Sequence, residues 1–235
     1  MADPPEPTPP DLDHQTMDDQ NFLNEASMGD LSRALGILGR ARFTIQRHPT
    51  ELEEYFLGAP DGSRLGRIRL VTNGGWAVED GNGKMVAMLW RQRTEDHSVD
   101  HVSSLVHLGF HRWEKARKEE TNASLYCLAN PDKTVRFFVT YIGNDAVLET
   151  PSNRPALKMA PGQARDEFRI VDPYDEAVAT VRTQAHGMEF LHDITFAELE
   201  DPFFVAILVV AISLEMAFRH GGEWRSPYHG IEPSL

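Results

Sequence analysis

The sequence predicts a mainly β fold, a closed antiparallel barrel wrapped round a buried, apolar C-terminal helix. Two observations predict it. Phe203 to Phe218, FFVAILVVAISLEMAF, is an almost unbroken apolar run near the end of an otherwise acidic chain of 235 residues. A helix that is apolar nearly all round must be surrounded on every side. Trp76 to Leu89 and Phe168 to Val181 are two copies of one β-hairpin. With two looser copies they supply enough strand to close a sheet that leaves no exposed edge.

The first 25 residues carry seven acidic side chains, no Lys or Arg, and prolines at positions 4, 5, 7, 9 and 10. That composition cannot offset ordering entropy, so residues 1–20 read as a disordered tail. Residues 21–40 read as an amphipathic helix, with Phe22, Leu23, Leu31, Leu35 and Leu38 at helical spacing. Gly29, Gly36 and Gly39 weaken it by about 1 kcal/mol each relative to Ala. It can plug a barrel end or dock a partner, and the spacing favours the plug.

The barrel is assigned to residues 41–222. Strands fall near Phe43 to Arg47 and Met188 to His192, and the looser hairpins are Tyr55 to Leu70, turning at Pro60-Asp61-Gly62, and Leu125 to Phe138, turning at Asn130-Pro131-Asp132. In the two strict copies an aromatic, then Val78 or Ile170, then Asp80 or Asp172 leads into the turn, and Val86-Ala87 or Val178-Ala179 opens the return strand. Gly, Pro, Asn and Asp at the turn and alternating apolar positions outside it are hairpin chemistry. Cys127, aligned with Val78 and Ile170, is expected to point into the barrel as a small apolar residue. The irregular spacing argues against a solenoid or propeller.

The central helix is assigned to residues 202–220. Sixteen residues rise about 24 Å, short of the roughly 30 Å hydrocarbon slab, and Glu215 interrupts the run. Asp201 suits the N-cap, Pro202 the first turn, and Arg219, His220, Gly221 and Gly222 the C-terminal end, while Glu215 and Arg219 stand four apart and can pair. A core helix is therefore expected rather than a membrane span. Residues 223–235 form a C-terminal tail.

The hairpin signature, aromatic-x-Val/Ile-x-Asp-turn-x-x-Val, repeated and followed by an acidic lead-in and one apolar helix, resembles the tubby-like superfamily, nearest to its phospholipid scramblase and LURP-one-related branches. The closest local match is Ile194 to Phe218, where Phe196, Glu198, Glu200, Asp201 and Phe203 to Leu214 follow the scramblase order. The resemblance covers roughly Arg42 to His220. It implies a barrel of about 12 strands round a central helix, without catalytic machinery. The multi-cysteine cluster of animal scramblases is absent, and their calcium loop is not recognisable.

With 41% apolar and 25% charged residues the chain can bury a substantial core. The net charge is −13, of which the first 25 residues carry −7, so the remainder is only mildly acidic. The N-terminus lacks the basic and apolar regions of a signal peptide, and the single Cys127 excludes an intrachain disulfide. The expected location is cytoplasmic, peripheral at the membrane, with the Asn122-Ala123-Ser124 sequon unused.

Four residue groups are candidates for chemistry or binding. His97, His101, His107 and His111 form two pairs four apart and could present imidazoles to zinc from a helix, but no Glu follows the first His of either pair, and on a strand residues four apart lie some 13 Å apart. Surface or partly buried histidines are favoured. Asp193, Glu198, Glu200 and Asp201 could attract calcium, yet a hard-cation site needs six or more converging oxygens and usually a turning Gly. A charge cluster at a helix N-terminus fits better. His220-Gly221-Gly222 faintly resembles an oxyanion loop without any nucleophile elbow, and a helix C-cap explains it.

The fourth group is basic. Arg64, Arg67 and Arg69 along one strand, and Arg112, Lys115, Arg117 and Lys118 flanking Trp113, could meet lipid phosphates, at about 1 kcal/mol per basic residue near an anionic surface, or form a salt-bridged solvated face. The chain's negative charge argues against nucleic acid. No cofactor is called for. The expected function is a non-enzymatic scramblase- or LURP-one-like module binding a phospholipid membrane surface. The alternative is a soluble structural or adaptor protein that binds a protein partner through its N-terminal tail and helix.

Overall fold

A computed structural model describes residues 31–47, 54–71, 75–93, 123–131, 135–149, 155–197, 202–221 and 223–228. Twelve strands run in chain order: β1 (Arg42–Arg47), β2 (Glu54–Gly58), β3 (Arg64–Leu70), β4 (Gly75–Asp80), β5 (Met85–Arg93), β6 (Ala123–Ala129), β7 (Val135–Ile142), β8 (Asp145–Glu149), β9 (Pro155–Pro161), β10 (Glu167–Val171), β11 (Ala177–His186) and β12 (Glu189–Phe196). Each pairs antiparallel with its sequence neighbours, and β12 returns to β1, with Phe43 opposite Ile194 and Ile45 opposite His192. The result is an up-and-down closed barrel, which leaves no strand edge unpaired.

Helix α1 (Pro202–Arg219) fills it. Every residue from Pro202 to Met216 is buried, and the helix backbone runs nearest to β7, β8 and β9. By length and composition α1 could cross a membrane, but its apolar surface is spent inside the barrel. Its first turn is tied from far away in sequence: the Ser32 hydroxyl accepts the Phe203 amide at 3.0 Å, satisfying one of the orphan amides of a helix start. Leu31, Leu35 and Ile37 are buried beside it. Asp201 lies outside the described residues.

The repeat has a definite geometry. Tyr55-x-Leu57, Trp76-x-Val78, Tyr126-x-Leu128 and Phe168-x-Ile170 all face the core, and in each hairpin the register shifts immediately after the aliphatic residue. These bulges lie at one rim, beside the start of α1, and a bulge sharpens twist and bends the strand. Asp80 and Asp172 follow two of them and act alike. Asp80 Oδ1 accepts the amides of Asn82 and Lys84, and Asp172 Oδ1 those of Tyr174 and Glu176, all at 2.8–2.9 Å. The left-handed position of the turn is Gly83 in one copy and Asp175, at φ 70°, in the other.

Cys127 corrects an expectation. The third copy aligns on Tyr126 and Leu128, one residue away from the alignment that put Cys127 at the core, and a one-residue slip reverses the face. Cys127 therefore lies on the outer face of β6, between Trp90 and Phe138 of the neighbouring strands. It is nonetheless buried, and burial pushes its thiol up to about 12. Strands β8 and β9 carry no hairpin signature. DAVLE is short, and PALKMAP is bounded by prolines, which lack the amide that a strand ladder needs.

Ser32→Ala should remove the cap from α1 at a cost of about 1 kcal/mol, lowering the thermal midpoint by about 2–4 °C. Ala211→Asp should abolish cooperative unfolding in circular dichroism, since it places an unpaired charge in a closed core. A soluble, cooperatively melting Ala211→Asp protein would mean that α1 is not enclosed.

Candidate functional site

Three arginines of β3 share the outer face of the barrel. Register places Arg67 opposite Glu79 and Phe56, and Arg69 opposite Ala77 and Glu54. Glu79, almost fully buried, accepts Arg69 Nε at 2.8 Å and also Arg67 Nε, while Glu54 accepts Arg67 at 3.4 Å and Arg64 at 3.5 Å. The Arg64 guanidinium lies 3.8 Å from the centroid of the Phe56 ring. The arginine side chains remain 50%, 36% and 43% exposed for Arg64, Arg67 and Arg69. Three positive heads on two carboxylates form a fixed face with a surplus positive charge.

A second polar group lies inside, at the rim where α1 ends. Glu215, almost fully buried, is held by five hydrogen bonds: Arg91 Nε at 3.0 Å, Arg91 Nη2 at 2.8 Å, and Tyr126 Oη, Ser124 Oγ and Arg219 Nε each at 2.9 Å. Burial alone would push this carboxyl up, but the Arg91 charge and the hydrogen bonds from Arg219 and Arg91 outweigh it and hold the pKa below its usual range. The expected Glu215–Arg219 pair is present. Arg91, Ser124 and Tyr126 were missed, although strand alternation carries the signal: Ala87, Leu89 and Arg91 occupy one face of β5 and face the core.

His192 forms the third group. Its Nε2 is 2.7 Å from Ser213 Oγ on α1 and its Nδ1 is 2.8 Å from Thr183 Oγ1 on β11, while Ser213 donates to the Val209 carbonyl at 2.6 Å. Ser213's one hydrogen is thus committed, so Nε2 carries the imidazole proton and Nδ1 accepts from Thr183. The Trp224 ring closes over it at 4.5 Å. Burial lowers the His192 pKa to about 3. This is a neutral clasp between helix and barrel, with the Ser213 hydrogen engaged by the Val209 carbonyl.

The remaining candidates divide plainly. His97, His101, His107, His111, Arg112, Trp113, Lys115, Arg117 and Lys118 lie outside the described residues, as do Glu198, Glu200 and Asp201. Asp193 is engaged by Arg42, through Nε at 2.6 Å and a second contact from Nη2. Among the described residues no group of three or more His, Cys, Asp or Glu side chains is arranged to hold a metal ion. Gly221, at φ 62°, follows the His220 amide's bond to the Met216 carbonyl and ends α1.

No protein-family model matches the chain, and no curated protein matches it. Among solved structures, the X-ray structure of a protein from Arabidopsis thaliana is similar at 12% identity and a TM-score of 0.47, covering 76% of this chain and 93% of that one.

Replacing Glu215 by Ala should destabilise the fold by about 3–5 kcal/mol, because it strands two largely buried guanidiniums. The clasp makes stability pH-dependent. His192 takes up a proton at about pH 6.5 when unfolded but only near pH 3 when folded, so its contribution is complete above pH 6.5 and is lost as pH falls through that window. The slope averages about 1 kcal/mol per pH unit between pH 7 and pH 5 and approaches about 1.4 at lower pH. Urea unfolding between pH 7 and pH 5 should show this slope in the native chain and a shallower one in His192→Gln. His220, partly buried and also lowered by burial, adds the same trend to both proteins. Equal slopes would show that His192 is not the group responsible.

Proposed function

We propose that the protein is a non-catalytic binding module of the tubby-like kind, near the scramblase and LURP-one-related branches, that docks on an anionic phospholipid surface in the cytoplasm. The observation that carries the reading is the outer face of β3. Arg64, Arg67 and Arg69 are half exposed, lie side by side, and are oriented by Glu54, Glu79 and the Phe56 ring. Ordering these long side chains in advance removes an entropic cost that binding would otherwise meet. The four aromatic-x-aliphatic hairpins and the enclosed α1 support the family reading. The buried carboxylate and histidine described above are fully engaged in holding the helix, which supports a module without chemistry of its own.

The alternative is an adaptor that binds a protein through its N-terminal tail and first helix, using residues other than the four that pack on the barrel. Leu31, Leu35 and Ile37 are buried, and Ser32 caps α1.

Flotation with phosphatidylcholine vesicles, with and without about 30 mol% phosphatidylserine, separates the two readings. The protein should float only with the anionic lipid, and less at high salt. Arg64→Gln with Arg69→Gln should weaken partition about tenfold, below the two-residue limit of about 1 kcal/mol each because both side chains are already partly paired. Failure to float on anionic vesicles would remove the lipid reading and leave the adaptor.

A further inference from the structure

One buried carboxylate gathers two arginines on the β3 face. Arg67 and Arg69 stand two residues apart on the strand, so their side chains leave the same face about 7 Å apart. Glu79 lies opposite Arg67 in the register, and its side chain is 3% exposed. Its Oε2 accepts Arg67 Nε and its Oε1 accepts Arg69 Nε at 2.8 Å. Each oxygen holds one guanidinium, so the two planar cations are drawn together over a single anion. Arg69 makes no other hydrogen bond among the described residues, and Arg67 makes one more, from Nη1 to Glu54 at 3.4 Å. Both Nη groups of Arg69 and the Nη2 of Arg67 are left over, on side chains 43% and 36% exposed.

Two cations held side by side repel each other. Glu79 offsets that repulsion on the barrel side, and the leftover donors find no acceptor among the described residues. A guanidinium edge matches the paired oxygens of a phosphate or carboxylate. An oxyanion bonded to both arginines would complete an alternation of charge that Glu79 begins.

We infer that Glu79, given the docking of this face on anionic lipid proposed above, is a positioning residue: it sets Arg67 and Arg69 side by side so that one head-group oxyanion takes hydrogen bonds from both. The face then responds to the arrangement of its arginines and not to net charge alone. Charge counting gives the opposite expectation. Removing the Glu79 charge makes the face more positive by one, which alone would tighten binding to an anionic surface about fivefold. Releasing two long side chains, which binding must then order, costs about 30-fold. The second effect is larger, so Glu79→Gln binds about fivefold more weakly in spite of its added positive charge. The glutamine oxygen can still accept from one arginine, but its amide turns a donor toward the other.

The test is flotation of the full chain on phosphatidylcholine vesicles containing phosphatidylserine, for the native protein, Glu79→Gln and Arg69→Lys, with thermal unfolding of each beside it. Glu79→Gln should partition about fivefold more weakly than the native chain. Arg69→Lys keeps the charge of the face and changes only a partly exposed side chain. It should lose about threefold, because one ammonium cannot hold Glu79 and also offer a planar pair of donors. That variant decides the matter even where Glu79→Gln melts early. Partition of Glu79→Gln as strong as the native chain's or stronger, or of Arg69→Lys equal to the native chain's, would overturn the inference, while flotation of the native chain would keep the lipid reading. A native chain that does not float on these vesicles would remove both.

Discussion

Enclosing α1 is the constraint on which the structure depends. From Pro202 to Met216 the helix has no face for water, so the sheet around it must close, and a closed antiparallel sheet needs every strand to find two partners. The β12–β1 pairing supplies the last of these contacts, joining residues about 150 positions apart. Such long-range closure means that the barrel and its helix form together or not at all. The helix is too apolar to stand free, and the strands without it would surround a void.

The two ends of the barrel solve different problems. At the rim where α1 begins, the chain supplies a hydroxyl from Ser32 and apolar groups from Leu31, Leu35 and Ile37, so the helix start is capped by a segment that precedes the whole barrel. Five bulges bend the hairpins at this rim, where they lead into their turns. At the other rim the problem is electrostatic. Glu215 is buried in a region of low polarizability, and it stays charged because two guanidiniums and two hydroxyls converge on it. Arg91 in turn lies 4.3 Å from the Phe218 ring and Arg219 lies over Tyr141, which covers the cations with aromatic faces instead of water. Charge and aromatic packing here act as one unit.

Much of this was legible in the residues. The apolar run gave away the helix, and Glu215 marked the place where polar partners had to be found. The two strict hairpins were readable because aspartate at a turn has a definite task, accepting the turn amides two and four residues on, and Asp80 and Asp172 both perform it. Strands β8 and β9 escaped because their pairing is imposed by closure and not by their own composition. Cys127 was misplaced because a two-residue period tolerates no error in alignment. The clasp at His192 was hidden for another reason: Thr183, His192 and Ser213 come from three separate elements, and only the folded register brings them together.

A barrel filled by its own helix has little interior to offer a ligand. In hollow barrels the lumen does the binding, whereas here the lumen is the hydrophobic core, and its polar members hold the helix in place. The surfaces that closure leaves rigid and open to solvent are the outer faces of strands and the rims. The β3 face shows what such a surface can do. Glu79 is buried, on the outer side of the sheet, beneath arginines that remain partly exposed, so the positive groups are positioned by the barrel wall itself. Loss of that carboxylate would leave the same charges but not the same arrangement. The arrangement of that face therefore depends on the geometry set by closure as much as on its charge.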